Sequence, residues 1–322
     1  MTAPPSSTAG RDRPGAAAPP SSDDSTDLVR VACNLCGADR PVPLLVENGF
    51  QVCRCASCSL VYVNPQPRRE LGEDVELFHG EGREADENRA DGEVVYDDGL
   101  DWIERHVAAK GRLLDVGCGY GFFLQHAARR GWQVQGIDVS RVTVEYARKR
   151  LGLDMVDRGD LFQARYPDGR FQAVCMWNCL EHLPRPLETL REVSRILSDG
   201  GVALVRVPNI DFSRRVWNLR PLMRLAGVHE WSYLGTFPPH HLYGFTPRTL
   251  ARMLERAGLD VLAVAPAAVK VVHYERQGWR TGLAAKAVAR ISDLAYRGSG
   301  GRWNLSATMV ACARKPARAG AA

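Results

Sequence analysis

From Gly111 onward, short apolar runs alternate with segments whose apolar residues recur at helical spacing. The runs predict strands at Arg112–Val116, Gln133–Asp138, Ala173–Trp177, Val202–Val207 and Asp260–Ala265, with a last one near Ala307–Ala313. A third strand should end at Gly159-Asp160-Leu161. Helices fit between them, at Phe122–Arg130, Arg141–Arg150 and Leu187–Leu197, the last stopped by Asp199-Gly200-Gly201. Another helix opens on Thr246-Pro247, Thr as cap and Pro in the first turn, and runs to Ala257 before Gly258. Strand, turn and helix in repetition predict an α/β domain on a parallel sheet. No internal repeat is present.

The pattern changes upstream. Residues 1–28 are rich in Pro, Ala, Ser and Thr and carry almost no large apolar side chains, which predicts a disordered tail. Residues 29–67 hold a cysteine cluster and short β-like runs such as Leu60-Val61-Tyr62-Val63. Residues 68–110 read as an acidic linker and lead-in helix, because thirteen Asp or Glu face two Arg over residues 70–101. The α/β domain then spans 111–313, with insertions at 210–239 and 268–303, before a short tail at 314–322.

Composition narrows the class. At 322 residues, with 45% hydrophobic and 25% charged, the chain is an ordinary globular protein of about two domains. No stretch reaches the ~18 uninterrupted apolar residues of a membrane span, and the N-terminus lacks the apolar core of a secretory signal. A cytoplasmic setting is expected. The net charge of +5 permits acidic or phosphorylated ligands without demanding nucleic acid.

Five of the nine cysteines fall between Cys33 and Cys58. Cys33-Asn-Leu-Cys36 and Cys55-Ala-Ser-Cys58 are two C-x2-C knuckles, the spacing of a closed tetrahedral site of four thiolates. Cys33, Cys36, Cys55 and Cys58 are therefore expected to hold one structural Zn2+. Cys53 lies too close in sequence to Cys55 to join them.

The first strand of the α/β domain runs into Asp115-Val116-Gly117-Cys118-Gly119-Tyr120-Gly121. Glycines here let the backbone turn sharply and approach a ligand. A Gly-x-Gly-x-Gly loop alone would suit several nucleotides. Asp115 just before it favours a cationic ligand over a pyrophosphate. Asp138, closing the next strand, can hold two ribose hydroxyls, and Asp160 can accept from an adenine amino group or serve as a turn residue.

Together these residues resemble the class I S-adenosylmethionine-dependent methyltransferases. The resemblance covers Gly111 to Ala313 and includes Cys175-Met-Trp-Asn-Cys-Leu-Glu181-His182, Pro184 and Pro208-Asn209. With the four cysteines, the chain is similar to the bacterial subset that carries a zinc ribbon before this domain. The resemblance implies a Rossmann-like, mainly parallel seven-stranded sheet and S-adenosylmethionine as cofactor. Asp115 and the loop glycines Gly117, Gly119 and Gly121 would line its methionine part. Asp138 would take the ribose, and Asp160 and Leu161 would flank the adenine. Asn178 would lie beneath the cofactor where the acceptor arrives. Glu181-His182 is similar to the Glu-His of ubiquinone-type O-methyltransferases, in which a further Glu three residues earlier helps bind magnesium; here that position is Asn178.

An alcohol or phenol acceptor must lose a proton, and a positioned imidazole is the common agent. His182, His240 and His241 compete for that role; each could equally be structural. The aromatic and Arg-rich insertions would form a lid over the acceptor, or a packed cap. The expected reaction is methyl transfer to a small molecule (a sugar nucleotide, glycan or secondary metabolite), with oxygen favoured over carbon. Two other classes remain open. One is an RNA-modifying enzyme whose ribbon grips nucleic acid, although only five Arg fall between Arg30 and Arg69. The other is a NAD-dependent oxidoreductase, which Asp115 argues against.

Overall fold

The structure is a computed structural model that describes residues 28–68, 95–215, 241–267 and 279–317. The tail before Leu28, the acidic stretch 69–94, His240 and most of the first insertion lie outside the described residues, as do 268–278 and 318–322.

Five strands build the N-terminal part: β1 (Leu28–Val29), β2 (Pro41–Glu47), β3 (Phe50–Cys55), β4 (Val61–Val63) and β5 (Gln66–Pro67). A helix α1 over residues 95–104 leads into the α/β domain. There follow β6 (Arg112–Val116), α2 (Phe122–Arg129), β7 (Gln133–Asp138), α3 (Arg141–Leu151), β8 (Val156–Arg158), α4 (Leu161–Ala164) and β9 (Phe171–Trp177). After a 3-10 turn at Leu180–His182 come α5 (Pro186–Ile196) and β10 (Leu197–Pro208). Then follow a short helix α6 over residues 210–215, β11 (Tyr243–Gly244), α7 (Pro247–Arg256), β12 (Asp260–Pro266), α8 (Trp279–Gly298) and β13 (Thr308–Arg314).

Seven strands form one sheet in the order β12-β13-β10-β9-β6-β7-β8. All neighbours run parallel except β13, which is antiparallel to both β10 and β12. The expected seven-stranded Rossmann-like sheet is thus present. Both faces are buried, because alternate residues of one strand point to opposite sides. Leu114, Val174, Val205 and Ala311 pack with α5 and α7 on one face. Leu113, Cys175, Leu204 and Cys312 pack with α1, α2 and α3 on the other.

Strand order reverses between β6 and β9, the switch point at which the carboxyl ends of the strands leave a crevice in sheets of this kind. α5 ends at Ile196, three residues before Asp199-Gly200-Gly201, and the chain does not loop there. It enters β10 at once, with a register shift between Leu197 and Val202. Thr246 caps α7 through a reciprocal box with Thr249.

The N-terminal strands do not stand apart. β2, β3, β4 and β11 form one four-stranded sheet, so the α/β domain lends a strand to the cysteine module. Cys33, Cys55, Cys58, Leu60 and Tyr62 share a core with Leu187, Tyr243 and Phe245.

Candidate active site

The glycine loop leaves β6 at its carboxyl end and turns over the end of β7. Gly117 and Cys118 donate their N–H groups to the Ile137 carbonyl at 2.8 and 3.3 Å. Gly117 has φ +71°, and a Cβ there would sit 2.6 Å from Cys179 Sγ, so only glycine fits. At Gly119 (φ +51°) a Cβ would meet nothing within 4 Å. The loop is open above that residue and closed beneath Gly117.

Asp138 anchors the loop. Its Oδ2 accepts from Gly119 N–H at 2.8 Å, and its Oδ1 accepts from Ser140 N–H at 2.9 Å and Thr143 O–H at 3.3 Å. Asp115 is 1% exposed, and its Oδ1 has no hydrogen-bond partner. Burial, with the Asp138 charge beside it, holds the Asp115 carboxyl well above the usual carboxylate range. A cation arriving in the crevice would reverse that shift. An orphaned buried carboxylate oxygen and an open loop glycine therefore fit a cationic nucleoside such as S-adenosylmethionine.

Asp160 follows β8 and is tied to Asp138 by the Gly159 N–H to Asp138 C=O bond, 2.9 Å. Its Oδ1 caps α4, accepting from Phe162 and Gln163 N–H, both at 2.8 Å. Leu161 points into the core, whereas Phe162 beside it is exposed with the Arg185 guanidinium over its ring.

Beyond β9 the chain turns at Asn178 into the Leu180–His182 turn. Asn178 adopts φ +51° and receives a hydrogen bond from the buried Arg206 guanidinium on its Oδ1. Its Nδ2 donates to Glu181 Oε1 at 3.2 Å. Glu181 is 1% exposed with Oε2 unpartnered, and burial raises its carboxyl despite His182, Asn178 and Arg206 nearby. Above it, the His182 and His241 rings meet edge to face with centroids 4.7 Å apart. One donor atom from each of Glu181, His182 and His241 lies within 4.8 Å of the others, close enough to reach a common small cation. At Asn178, the position of the magnesium-binding Glu in the ubiquinone-type pattern, the amide oxygen faces a guanidinium instead.

Arg206 and Trp177 escaped the sequence reading. They pair in register on β10 and β9, and both carry a buried nitrogen without a partner, Nε and Nε1. Tyr96 of α1 packs edge-on against Trp177 at 5.4 Å. A lone cation inside the apolar run Val202–Val207 was the available signal. Arg206 is buried, with no carboxylate in ion-pair range among the described residues.

The four cysteines of the knuckles come together. Cys33 Sγ lies 3.4 Å from Cys58 Sγ, Cys36 Sγ lies 3.6 Å from Cys55 Sγ, and all four lie within 4.8 Å. A tetrahedron with Zn–S of about 2.3 Å has S···S edges of about 3.8 Å, so the set fits zinc without rearrangement. Burial pushes the Cys58 thiol up to about 11. Against burial, backbone N–H groups of Cys58 and Ser57 bring Cys55 down to about 7. Cys53 stands outside, its Sγ 3.8 Å from the Asn64 carbonyl.

A family described as "Methyltransferase domain" matches residues 90–264. Similar curated relatives include ubiquinone biosynthesis O-methyltransferases. That of Azoarcus sp. (strain BH72) is 29% identical over 181 residues, covering 51% of this chain and 71% of its own. That of Neisseria meningitidis serogroup C (strain 053442) is 32% identical over 174 residues, covering 50% and 69%. A solved complex between the Haloferax volcanii Trm112 methyltransferase activator and a methyltransferase has a chain that superposes with TM-score 0.50. The match is 17% identical and covers 72% of this chain and 95% of that one, a likeness of fold. No helix among the described residues is long and apolar enough to cross a membrane. The family match runs across the glycine loop, both strands of the crevice and the Glu181-His182 turn, and the chain belongs to the S-adenosylmethionine-dependent methyltransferases.

Proposed function

We propose that the chain methylates an oxygen of a small-molecule acceptor, with the His182–His241 pair as the proton acceptor. The observation that carries this reading is the contact of two imidazoles over the buried Glu181, beside Asn178 at the end of β9. When bound, S-adenosylmethionine supplies an electrophilic methyl on a sulfonium sulfur. Asp115 offers a carboxylate to that cation, Gly119 gives it room, and Asp138 offers its remaining lone pairs to the ribose. Asp160, the backbone of Leu161 and the exposed Phe162 border the adenine. Asn178, locked by Arg206 and Glu181, keeps the floor of the crevice fixed, so that acceptor oxygen, methyl and sulfur can align. His241 or His182 takes the acceptor's proton as the oxygen attacks, and Glu181 stabilises the resulting imidazolium. Zinc on Cys33, Cys36, Cys55 and Cys58 has no open position, so its role is structural.

The acceptor class that suits these groups is a hydroxylated metabolite, a phenol or a sugar nucleotide. The test is to incubate the zinc-loaded protein with labelled S-adenosylmethionine and a panel of such acceptors. His241→Ala and His182→Ala follow on the best one. At least one variant should lose about 10²–10⁴ in turnover while keeping its affinity for S-adenosylhomocysteine. Full turnover by both would refute the assignment. Labelling of RNA instead, lost steeply with salt, would favour a nucleic-acid acceptor. A second reading has Glu181, His182 and His241 hold a divalent cation, as their common reach of 4.8 Å allows. Activity that survives a chelator while the ribbon keeps its zinc would remove it.

A further inference from the structure

His241 is held from two sides, and one of them is the cysteine ribbon. The residue after it, Leu242, uses both of its peptide groups to join distant parts of the chain. Its N–H donates to the Glu181 carbonyl at 2.8 Å, and its C=O accepts from Val63 N–H of β4 at 2.9 Å. His182 follows Glu181 directly, so the two imidazoles flank the two ends of the first of these bonds. β11 then continues beside β4, with Tyr243 opposite Tyr62 and Gly244 opposite Val61. Beyond it, Ile210 N–H donates to the Phe245 carbonyl at 2.9 Å.

Two residues cannot hold a strand conformation alone. β11 exists because β4 is there, and β4 is placed by the cysteine knuckle. Cys58 is followed by Ser59, Leu60 and Val61, and the knuckle closes through Cys55 N–H to Leu60 C=O and Ser59 N–H to Cys55 C=O, both 2.9 Å. On the far side, Asn34 between the first two cysteines accepts from Leu187 N–H at the start of α5, 2.9 Å. Tyr243 O–H reaches back to the Pro184 carbonyl at 3.0 Å. The thiol cluster is therefore linked to the imidazole pair by a continuous run of backbone bonds.

We propose that the four-cysteine ribbon is a positioning element of the acceptor site: metal held by Cys33, Cys36, Cys55 and Cys58 orders β4, and β4 fixes the His182–His241 geometry through Leu242. The acceptor role of that pair is the reading given above; the ordering itself does not need it. The cofactor side rests on β6 and β7, whose backbone bonds pair them with each other, with β9 and with β8, so zinc should govern the two halves of the crevice unequally.

The experiment compares the full chain zinc-loaded, zinc-depleted by chelator and reloaded, with amide hydrogen exchange as the readout. Zinc content and S-adenosylhomocysteine affinity are measured on the same samples. Depletion should speed exchange at residues 242–245 by about tenfold or more, leave residues 122–138 and the cofactor affinity unchanged, and be reversed by zinc. Unchanged protection at 242–245 after zinc loss would overturn the proposal. So would loss of protection everywhere together with cofactor binding, since the metal would then hold the whole chain rather than this pair. Val63→Pro gives the independent arm: it removes the N–H that bonds Leu242 and leaves the four thiols. It should keep one zinc per chain and still expose 242–245; full protection there counts against the link. If exchange fails to respond, the ribbon's role falls and the proton-acceptor reading stands. If both histidine variants retain turnover, the reverse holds.

Discussion

Asp138→Asn changes one atom and should open the glycine loop. The carboxylate serves three donors: Gly119 N–H on Oδ2, and Ser140 N–H with Thr143 O–H on Oδ1. An asparagine has one acceptor oxygen. Two donors converge on the Oδ1 side, so the amide oxygen settles there and its NH2 faces Gly119 N–H. At 2.8 Å two donors repel, and Gly119 must move away from β7. The loss is one hydrogen bond to a charged acceptor plus a poorly satisfied N–H, about 2–3 kcal/mol. That corresponds to a loss of about 30- to 150-fold in S-adenosylhomocysteine affinity. Calorimetric titration measures it, with a circular dichroism melt to show that the variant is folded. Thr143→Val is the control: it removes one donor, leaves the loop bond intact and should weaken binding by less than about threefold. An Asp138→Asn protein that binds within threefold of the parent would refute the reasoning, because neither the loop tie nor the ribose contact could then depend on the carboxylate.

Three further outcomes are expected. Arg206→Met removes a buried guanidinium whose burial already works against its charge; Asn178 Oδ1 and Thr308 Oγ1 lose their donor, so chemical denaturation should find a loss of about 1–3 kcal/mol, while turnover falls by about 10²-fold as Asn178 shifts. Burial raises the Glu47 carboxyl to about 7, with Oε2 unpartnered. The folded state then holds a proton that the unfolded state gives up above its ordinary value near 4.5, so stability falls as pH rises through that window. Glu47→Gln should stabilise by about 1 kcal/mol above pH 7, after allowance for partial solvation, and change nothing at pH 4 in thermal melts. Thr246→Ala breaks the capping box of α7 and should cost about 1 kcal/mol in urea unfolding.

What the sequence made legible was local in character. Apolar runs and helix stops marked the strands and helices of the α/β domain because each rests on residues adjacent in the chain. The knuckle spacing and the glycine loop were legible for the same reason. Strand order was not, since β6, β9 and β10 are apolar on both faces and any order would bury them. β11 carries no periodicity in two residues, and its partner lies in the cysteine module. Asp199-Gly200-Gly201 reads as a break, yet the sheet absorbs it as a register shift at the start of β10. In the crevice, the acidic residues stood out by position, but their partners did not. That Asp138 would bind the loop's own backbone, or that Arg206 would reach Asn178 from the neighbouring strand, depends on register between strands far apart in sequence.

The strand that β11 lends to the cysteine module also sets the order in which the chain can finish folding. Until Tyr243 and Gly244 emerge, the Val61-Tyr62-Val63 edge has no partner on that side. The two segments lie about 180 residues apart, a separation that slows pairing in any folding chain. At ribosomal rates of about 5–20 residues per second, that edge waits roughly ten to forty seconds after its own synthesis. An uncharged, apolar edge of this kind is a site for mispairing with other chains. Expression at lower temperature, or with a chaperone that covers strand edges, should therefore raise soluble yield more than added zinc does.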